Sequence, residues 1–317
     1  MTRIIALPLA RDVERALERL KSLHDGDLGI VDITACGSRA IPALRAFLCD
    51  GPASSIYQPR CRAVAALAAL HAHDVLINFL SAPREISDPV DRAGEDAVVN
   101  AAARALIGVD DARIFPLLMQ LAHSRPPLAG IVEALGASGR AEAIPVLVEA
   151  LREDHTRPAA AAALARLPAL ARPPLVELAT RPLPSCQWET ASSRRTRLAA
   201  VRLLERIGAP DHLFRRLATA ADPQIAAAAC HALLATAGAA AQRDAAFRLI
   251  ELLPRLSWIG CEEAEECLAA HFEIVERAIG ERLHGPPPDP ADRSAAARIY
   301  RSLSRVARRA GSTPPRW

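Results

Sequence analysis

The sequence predicts an all-α protein built from repeated pairs of short helices. Of its 317 residues, 51% are hydrophobic but only 3% are aromatic, a composition that suits thin, closely packed helices. No stretch shows the alternation of β-branched and polar residues that is typical of strands. In addition, residues 139–168 read as two helices joined by a tight turn, and similar stretches recur along the chain.

Residues 139–168 show the pattern most clearly. The first helix carries apolar residues at i, i+3, i+4 and i+7, which form one face of an amphipathic helix: Ile144, Leu147, Val148 and Leu151. The second helix is rich in alanine and ends in Leu164 and Leu167. A pair this small cannot bury its own apolar faces, so similar pairs must stack on both sides of it.

Two landmarks repeat along the chain, an Ile-Pro-like start of the first helix and an alanine-rich second helix. The predicted first helices cover 40–48, 74–80, 113–121, 143–151, 172–179 and 212–218. The predicted second helices, besides the central one, cover 60–70, 98–107, 128–136, 197–208 and 225–235. A spacing of about 30 to 40 residues between first helices is that of helical-pair repeats.

These segments resemble HEAT repeats, most closely the short bacterial kind named after phycobilisome lyases, over about residues 36–272. The resemblance implies a right-handed α-α superhelix, a HEAT-like solenoid. In this family the second helix typically opens with an arginine that braces successive repeats, and Arg60, Arg157 and Arg197 stand at that place. Other repeats depart from the pattern, with Val99, Leu128 and Ala226. The resemblance is specific for fold and nearly silent on function.

The sequence predicts three parts: a capping helix and connector in 1–35, a solenoid of about seven helical pairs in 36–284, and a C-terminal segment in 285–317. The last part holds a Pro-rich break, a basic amphipathic helix and a tail. Ile299, Leu303 and Val306 lie on one face of that helix and arginines on another. We expect it to cap the last repeat, and docking on an acidic partner or an anionic membrane surface is the alternative.

Charge and cysteine content indicate the setting. The net charge of +3 is too small to imply nucleic acid by itself. The seven cysteines are odd in number and follow no disulfide framework, which favours a reducing cytoplasm. The N-terminus lacks a convincing signal-peptide core, and its apolar stretch is far too short to span a bilayer. We therefore expect a cytoplasmic protein, with its oligomeric state left open.

Four connections inside helix pairs are predicted to be longer than the central one, at 50–59, 81–96, 181–193 and 254–261. Such insertions lie along one rim of a solenoid, and rims bind partners. Tyr57, Trp188 and Trp258 lie in three of them, and Trp and Tyr are common interface anchors. The predicted protein-binding residues are Tyr57, Trp188, Arg194, Arg195, Arg197, Arg202 and Trp258. The alternative is that each ring folds back onto its own repeat.

Charge along this rim is uneven. Acidic residues cluster before and after the arginines, at Glu85, Asp88, Asp91, Glu95 and Asp96 and at Glu262, Glu263, Glu265 and Glu266. A basic centre with acidic flanks suits a protein partner of mixed charge better than a phosphate backbone. The alternative is that these runs are ordinary solvated helix faces.

Enzyme and metal signatures are weak. The sequence has no P-loop, G-x-G-x-x-G, G-x-S-x-G or H-E-x-x-H motif. Cys267 and His271 lie at i, i+4 with Glu263 and Cys261 nearby, but without a second ligand pair we expect a buried cysteine and a hydrogen-bonded histidine. The isolated His231 has the same interpretation.

We therefore predict a non-enzymatic scaffold with no cofactor and no metal, binding through the rim and concave face. Two other functions stay open. Deoxyhypusine hydroxylase resembles this chain in fold but relies on His-Glu pairs, which are absent from the sequence. HEAT-like DNA glycosylases use a basic groove with Trp and Asp, which Trp188, Glu189 and the nearby arginines resemble, although the acidic flanks argue against DNA. The alternatives are a nucleic-acid-binding protein of that kind and an accessory or chaperone subunit of an enzyme.

Overall fold

A computed structural model describes residues 10–82, 84–181, 189–282 and 294–311. Over these ranges the chain forms 18 α-helices and three short 3-10 turns and contains no strand. The predicted all-α class is thereby confirmed. The chain divides into two compact units, residues 1–167 and 168–317, which are described one at a time.

Unit 1 holds ten helices in two layers. They are α1 Ala10–Lys21, α2 Gly26–Ala35, α3 Ile41–Cys49, α4 Gln58–Ala69, α5 His73–Ser81, α6 Pro89–Ala105, α7 Ile114–Ser124, α8 Ala129–Ala137, α9 Ile144–Glu149 and α10 Arg157–Ala165. The second helices pack side by side in the order α2, α4, α6, α8, α10. The first helices α1, α3, α5 and α7 form the other layer, and the short first helix α9 packs on α8 and α10. This is the stacking of a helical-repeat solenoid.

Unit 2 holds eight helices with the same alternation. They are α11 Pro168–Thr180, α12 Ala191–Arg206, α13 Asp211–Leu217, α14 Pro223–Thr236, α15 Ala239–Leu252, α16 Trp258–Ala270, α17 Phe272–Arg282 and α18 Ala295–Arg309. Its second helices pack in the order α12, α14, α16, α18. Successive second helices therefore run beside one another, and their N-terminal ends form one edge of the unit, as in unit 1.

Small residues let the second helices approach closely. Ala63 and Ala66 of α4 are fully buried, as are Ala160 and Ala163 of α10. A Cβ atom at Gly130 of α8 would lie only 2.3 Å from the carbonyl oxygen of Asn100 in α6. The backbone N–H of Gly130 instead donates to the Asn100 side-chain oxygen at 2.6 Å. The alanine-rich pattern seen in the sequence thus reflects close helix packing.

Some second helices begin earlier than the sequence predicts. Residues 81–96 were expected to be a connection, but α6 begins at Pro89 because Asp88 caps it, accepting from the backbone N–H groups of Val90 and Asp91 at 2.8 and 2.9 Å. In the same way Ser257 caps α16, which begins at Trp258 and turns the expected connection 254–261 partly into helix. The long connections are therefore shorter than predicted, and more of their residues lie in first helical turns.

The two ends of the chain add helices to the layers. Where the sequence predicts one capping helix before residue 36, the structure places two, α1 and α2, and α2 also packs on α4. At the other end α18 packs on α16 and α17, with Leu303 and Val306 of its apolar face buried. The Pro-rich break and the C-terminal tail lie outside the described residues.

Candidate protein-binding surface

Three arginines of second helices share one role. Arg60 and Arg157 lie in the first turns of α4 and α10, and Arg197 lies in the second turn of α12. Each donates to a carbonyl near the end of the preceding first helix, so it joins the two helices of one pair. Arg60, Arg157 and Arg197 reach the carbonyl oxygens of Leu48, Leu151 and Ala179 at 2.7, 2.8 and 3.3 Å. We expected these arginines to brace successive repeats, and for Arg157 and Arg197 this expectation is wrong, because their contacts with described residues lie within one helix pair. Arg60 also joins its pair to the next one, since it donates to Glu95 of α6.

Arg197, predicted as an exposed binding residue, is largely withdrawn from the surface by this role. Its side chain is only 11% exposed and pairs with Glu189 at 3.0 Å. An arginine held between a carbonyl and a buried carboxylate stabilises the contact of α11 and α12. Arg197 is thus a structural residue of the pair.

Tyr57 of unit 1 lies at the N-terminal edge of the second helices. The connection before α4 packs on α6, where the backbone N–H of Ser55 donates to Asp91 at 2.9 Å. Ile56, Tyr57 and Val90 are exposed at the starts of α4 and α6. We call these three residues the unit 1 rim.

Trp258 of unit 2 lies at the equivalent edge. Arg194 of α12 is 3.9 Å from the carboxylate of Asp222, which caps α14, and Gln224 of α14 donates to Ser257, which caps α16, at 2.9 Å. These contacts place the first turns of α12, α14 and α16 along one line. We call the exposed residues of these turns, Arg194, Arg195, Trp258 and Ile259, the unit 2 rim. Trp188 lies outside the described residues.

Trp258 is 76% exposed, more than any other large hydrophobic residue whose exposure the structure gives. It is the first residue of α16, and Ser257 accepts from the backbone N–H of Gly260 at 3.2 Å to start the helix there. A ring exposed to this degree is not covered by the rest of its repeat. The ring therefore does not fold back onto its repeat.

Three exposed aliphatic residues beside the aromatic ones were not identified from the sequence: Ile56, Val90 and Ile259. Val90 and Ile259 each stand two residues after a helix cap, Asp88 and Ser257. Helical periodicity does not mark a large apolar residue two positions after a cap, because the first helical turn need not share the apolar face of the helix.

The acidic runs predicted to flank the arginines are largely engaged in contacts within the protein. In unit 1 Asp88 and Asp91 bind backbone N–H groups, and Glu95 and Asp96 pair with Arg60 and Arg125. In unit 2 Glu263 and Glu265 pair with Arg202 and Arg305, and Glu262 and Glu266 with Arg309. Most of these acidic side chains are therefore neutralised by arginines or backbone N–H groups of the protein itself.

A cleft of about 520 Å³ lies between α12, α14 and α16 of unit 2. Arg202 of α12 and Glu263 of α16 form an ion pair of 2.6 Å at this cleft, which also contains the small residues Ala227 and Ala228 of α14. Arg202, predicted as a binding residue, thus lines the cleft and is exposed there. We call this the second-helix cleft.

Neither of two ionisable residues that line the cleft was predicted to belong to a site. Glu205 is half-buried, and burial raises the pKa of its carboxyl, with Arg202 opposing part of the rise. His231, expected to be a hydrogen-bonded core residue, has a solvent-shielded Nε2 with no hydrogen-bond partner among the described residues. Burial lowers the pKa of His231 and favours the neutral imidazole.

Comparison with known proteins agrees with the repeat geometry. Residues 128–153 match the model of the PBS lyase HEAT-like repeat. Residues 128–153 thus form a HEAT-like repeat, which supports the interpretation of the chain as a HEAT-repeat protein. The match spans α8 and α9, the second helix of one pair and the first helix of the next. No curated protein matches the chain. The HEAT-like repeat architecture supports a scaffold or protein-interaction role, and the family is generally non-catalytic.

Cysteines and a histidine in or next to α16 make local contacts. His271 Nδ1 lies 2.9 Å from the backbone oxygen of Cys267, and the thiol of Cys261 donates to the carbonyl oxygen of Leu253 at 3.1 Å. Burial raises the pKa of Cys267 to about 12, so its thiol is protonated. In the described ranges, no three or more His, Cys, Asp or Glu residues are grouped to hold a metal ion.

A helix that crosses a bilayer must be both long and apolar. None of the described helices combines the two properties to the degree that a membrane crossing needs.

Proposed function

We propose that this HEAT-repeat protein is a non-enzymatic cytoplasmic scaffold that binds a protein partner through the first turns of its second helices. The observation that supports it most is the repeated exposure of large apolar residues at or just before those turns. Unit 1 exposes Ile56, Tyr57 and Val90, and unit 2 exposes Trp258 and Ile259. Exposed apolar residues that recur at one structural position mark interaction surfaces.

Trp258 is the proposed anchor of the unit 2 rim. Tryptophan and arginine are the residues most enriched at the energetic centres of interfaces, and Arg194 and Arg195 are exposed on the same edge. Among the described residues, the Arg194 side chain pairs with Asp222 at a long distance of 3.9 Å, so a partner carboxylate can compete for it. Tyr57, Arg202 and Trp188 complete the proposed binding residues.

Affinity capture with the full chain from its native cytoplasm, followed by binding measurements with the purified partner, tests this function. We expect Trp258→Ala to raise the Kd about 30-fold, since truncating an anchor costs about 2 kcal/mol or more. Leu170→Ala is the matched control, because Leu170 is another exposed large apolar residue of unit 2 but lies in the first helix α11.

The variants and a nuclease arm separate the alternatives. Equal affinities of the wild type and Trp258→Ala, or equal losses in Trp258→Ala and Leu170→Ala, would exclude the unit 2 rim. If capture disappears after nuclease treatment and the protein binds DNA with an affinity that falls steeply as the salt concentration rises, the protein binds nucleic acid and the scaffold proposal is wrong.

A further inference from the structure

A groove between α16 and α18 of unit 2 contains more arginines than carboxylates. Its volume is about 500 Å³, and its walls come from the 3-10 turn Leu253–Arg255, from α16 and from α18. Among the described residues, four arginines and two glutamates line it. We call it the α16–α18 groove. Trp258, the proposed anchor of the unit 2 rim, also lines this groove, so the rim and the groove form one continuous surface.

The arginines of the groove lie along one face of α18. They follow one another three or four residues apart, at Arg298, Arg301, Arg305 and Arg309, and this spacing puts neighbouring side chains on the same side of a helix. Arg305 donates to the buried carboxylate of Glu265 in α16 at 2.5 and 2.9 Å. The row of arginines is therefore turned toward α16.

Contacts at the start of α18 bring a second arginine to the same place. Arg298 donates to the carbonyl oxygen of Pro254 at 3.3 Å, shortly before α16 begins. Burial raises the pKa of the Cys261 thiol, and the charges of Arg305 and Arg298 both oppose part of this rise. Both guanidinium groups therefore lie near one residue of α16 that itself lines the groove.

Two arginines of the groove carry charge that the protein compensates only weakly. Arg298 is exposed, and no carboxylate among the described residues pairs with it. Arg309 is 3.8 Å from Glu262 and 3.7 Å from Glu266, and all three side chains are at least partly exposed, so these ion pairs are weak. A negatively charged ligand that is rich in hydrogen-bond acceptors complements this lining.

We propose that the α16–α18 groove binds an acidic segment of the protein partner, through the carboxylates of Asp or Glu residues. The proposal rests on the proposed scaffold function and adds the chemistry of the partner. One carboxylate binds Arg298 and a second binds Arg309, while an apolar residue of the same segment packs on the ring of Trp258. The two arginines are roughly 16 Å apart along the helix axis, at about 1.5 Å per residue. An extended segment of about six residues therefore spans both.

Six-residue peptides are the probes. Acetyl-Glu-Glu-Leu-Ser-Glu-Glu-amide carries a carboxylate at each end, and acetyl-Gln-Gln-Leu-Ser-Gln-Gln-amide is its neutral counterpart of nearly the same shape. The full chain, labelled with 5-fluorotryptophan, is titrated with each peptide while the fluorine signal of Trp258 is followed by NMR. The Trp258→Phe variant assigns that signal. We expect a saturable shift with the acidic peptide and none with the neutral one.

Arginine variants locate the site. Arg298→Gln and Arg309→Gln should each raise the Kd of the acidic peptide about threefold, and the double variant about tenfold, because each change removes one exposed charge pair with the peptide. Arg308→Gln is the matched control. Arg308 is an exposed arginine of the same helix, but it donates to the carbonyl oxygen of Ser304 and does not line the groove. This variant loses the same charge and should keep the Kd of the wild type.

Equal binding of the two peptides, no saturable shift, or equal effects of Arg298→Gln and Arg308→Gln would overturn the proposal. A larger change of the Trp258 signal with vesicles of phosphatidylserine and phosphatidylcholine, or with a single-stranded DNA oligonucleotide, than with the acidic peptide would assign the groove to a membrane or a nucleic acid and would also overturn it.

The purified partner tests the assignment to a protein. The double variant Arg298→Gln/Arg309→Gln should raise the Kd of the partner about tenfold, and an unchanged affinity would overturn the assignment of the groove to this partner. The peptide titration needs no partner, so its failure is distinguishable from failure of the Trp258→Ala test of the scaffold function.

Discussion

The ion pair of Arg60 and Glu95 provides the sharpest test of how adjacent repeats are joined in unit 1. Arg60 is 4% exposed and Glu95 is 6% exposed. Both terminal nitrogens of Arg60 donate to the Glu95 carboxylate, which joins α4 to α6. The perturbation is Glu95→Gln, which keeps the shape of the side chain and removes its charge.

The expected loss of stability follows from burial. Removing one partner of a buried ion pair typically costs about 3 to 5 kcal/mol, because the remaining charge is left uncompensated. Arg60 keeps its hydrogen bond to the Leu48 carbonyl at 2.7 Å and its position 5.5 Å from the centre of the Phe79 ring. We therefore expect the lower end, about 3 kcal/mol. The double variant Arg60→Leu/Glu95→Leu leaves no buried charge. Its loss in the free energy of unfolding should therefore be about 2 kcal/mol smaller than the summed losses of the single variants Arg60→Leu and Glu95→Leu.

Urea unfolding followed by circular dichroism measures the free energy of unfolding, and hydrogen exchange localises the loss, since repeat proteins need not unfold in one step. The matched control is Glu133→Gln. Glu133 pairs with Arg104 at 2.6 Å and joins α6 to α8, but both side chains are substantially exposed. We expect a cost below about 1 kcal/mol there. Equal costs for Glu95→Gln and Glu133→Gln would refute the argument from burial.

Two further predictions concern a close contact and a pH dependence. In Gly94→Ala the new Cβ atom would lie 2.1 Å from the carbonyl oxygen of Ser54, so the connection before α4 must shift; thermal unfolding should show a loss of about 1 to 3 kcal/mol. Burial lowers the pKa of His231, so its contribution to stability is present above about pH 6.5 and is lost as the pH falls through the lower folded-state pKa. His231→Gln should weaken the dependence of the melting temperature on pH over that acidic range. The same pH dependence in the wild type and the variant would contradict this role of His231.

The helices were predictable where an apolar face repeats with helical periodicity. The predicted segments at 40–48, 113–121 and 225–235 all lie within or overlap α3, α7 and α14. The early starts of α6 and α16 were not predicted, because their first turns are polar or exposed and only the caps Asp88 and Ser257 mark them.

The candidate surface was predictable only in part. Aromatic residues in connections drew attention to Tyr57 and Trp258, which the structure exposes. Arg197 was misassigned because an arginine in a helical turn gives no sign in the sequence that a carbonyl and a buried carboxylate will hold it. Glu205 and His231 meet in one cleft through the packing of α12, α14 and α16, and the periodicity of a single helix contains no information on such contacts.

Photo-crosslinking tests the central claim most directly. A photoreactive amino acid replaces Trp258 in one variant, Tyr57 in a second and Leu170 in a third, each in the full chain mixed with its purified partner. Crosslinks from positions 258 and 57 to the same partner, with little from position 170, are the predicted result. Crosslinks of equal yield from all three positions, or from position 170 alone, would contradict binding through the first turns of the second helices.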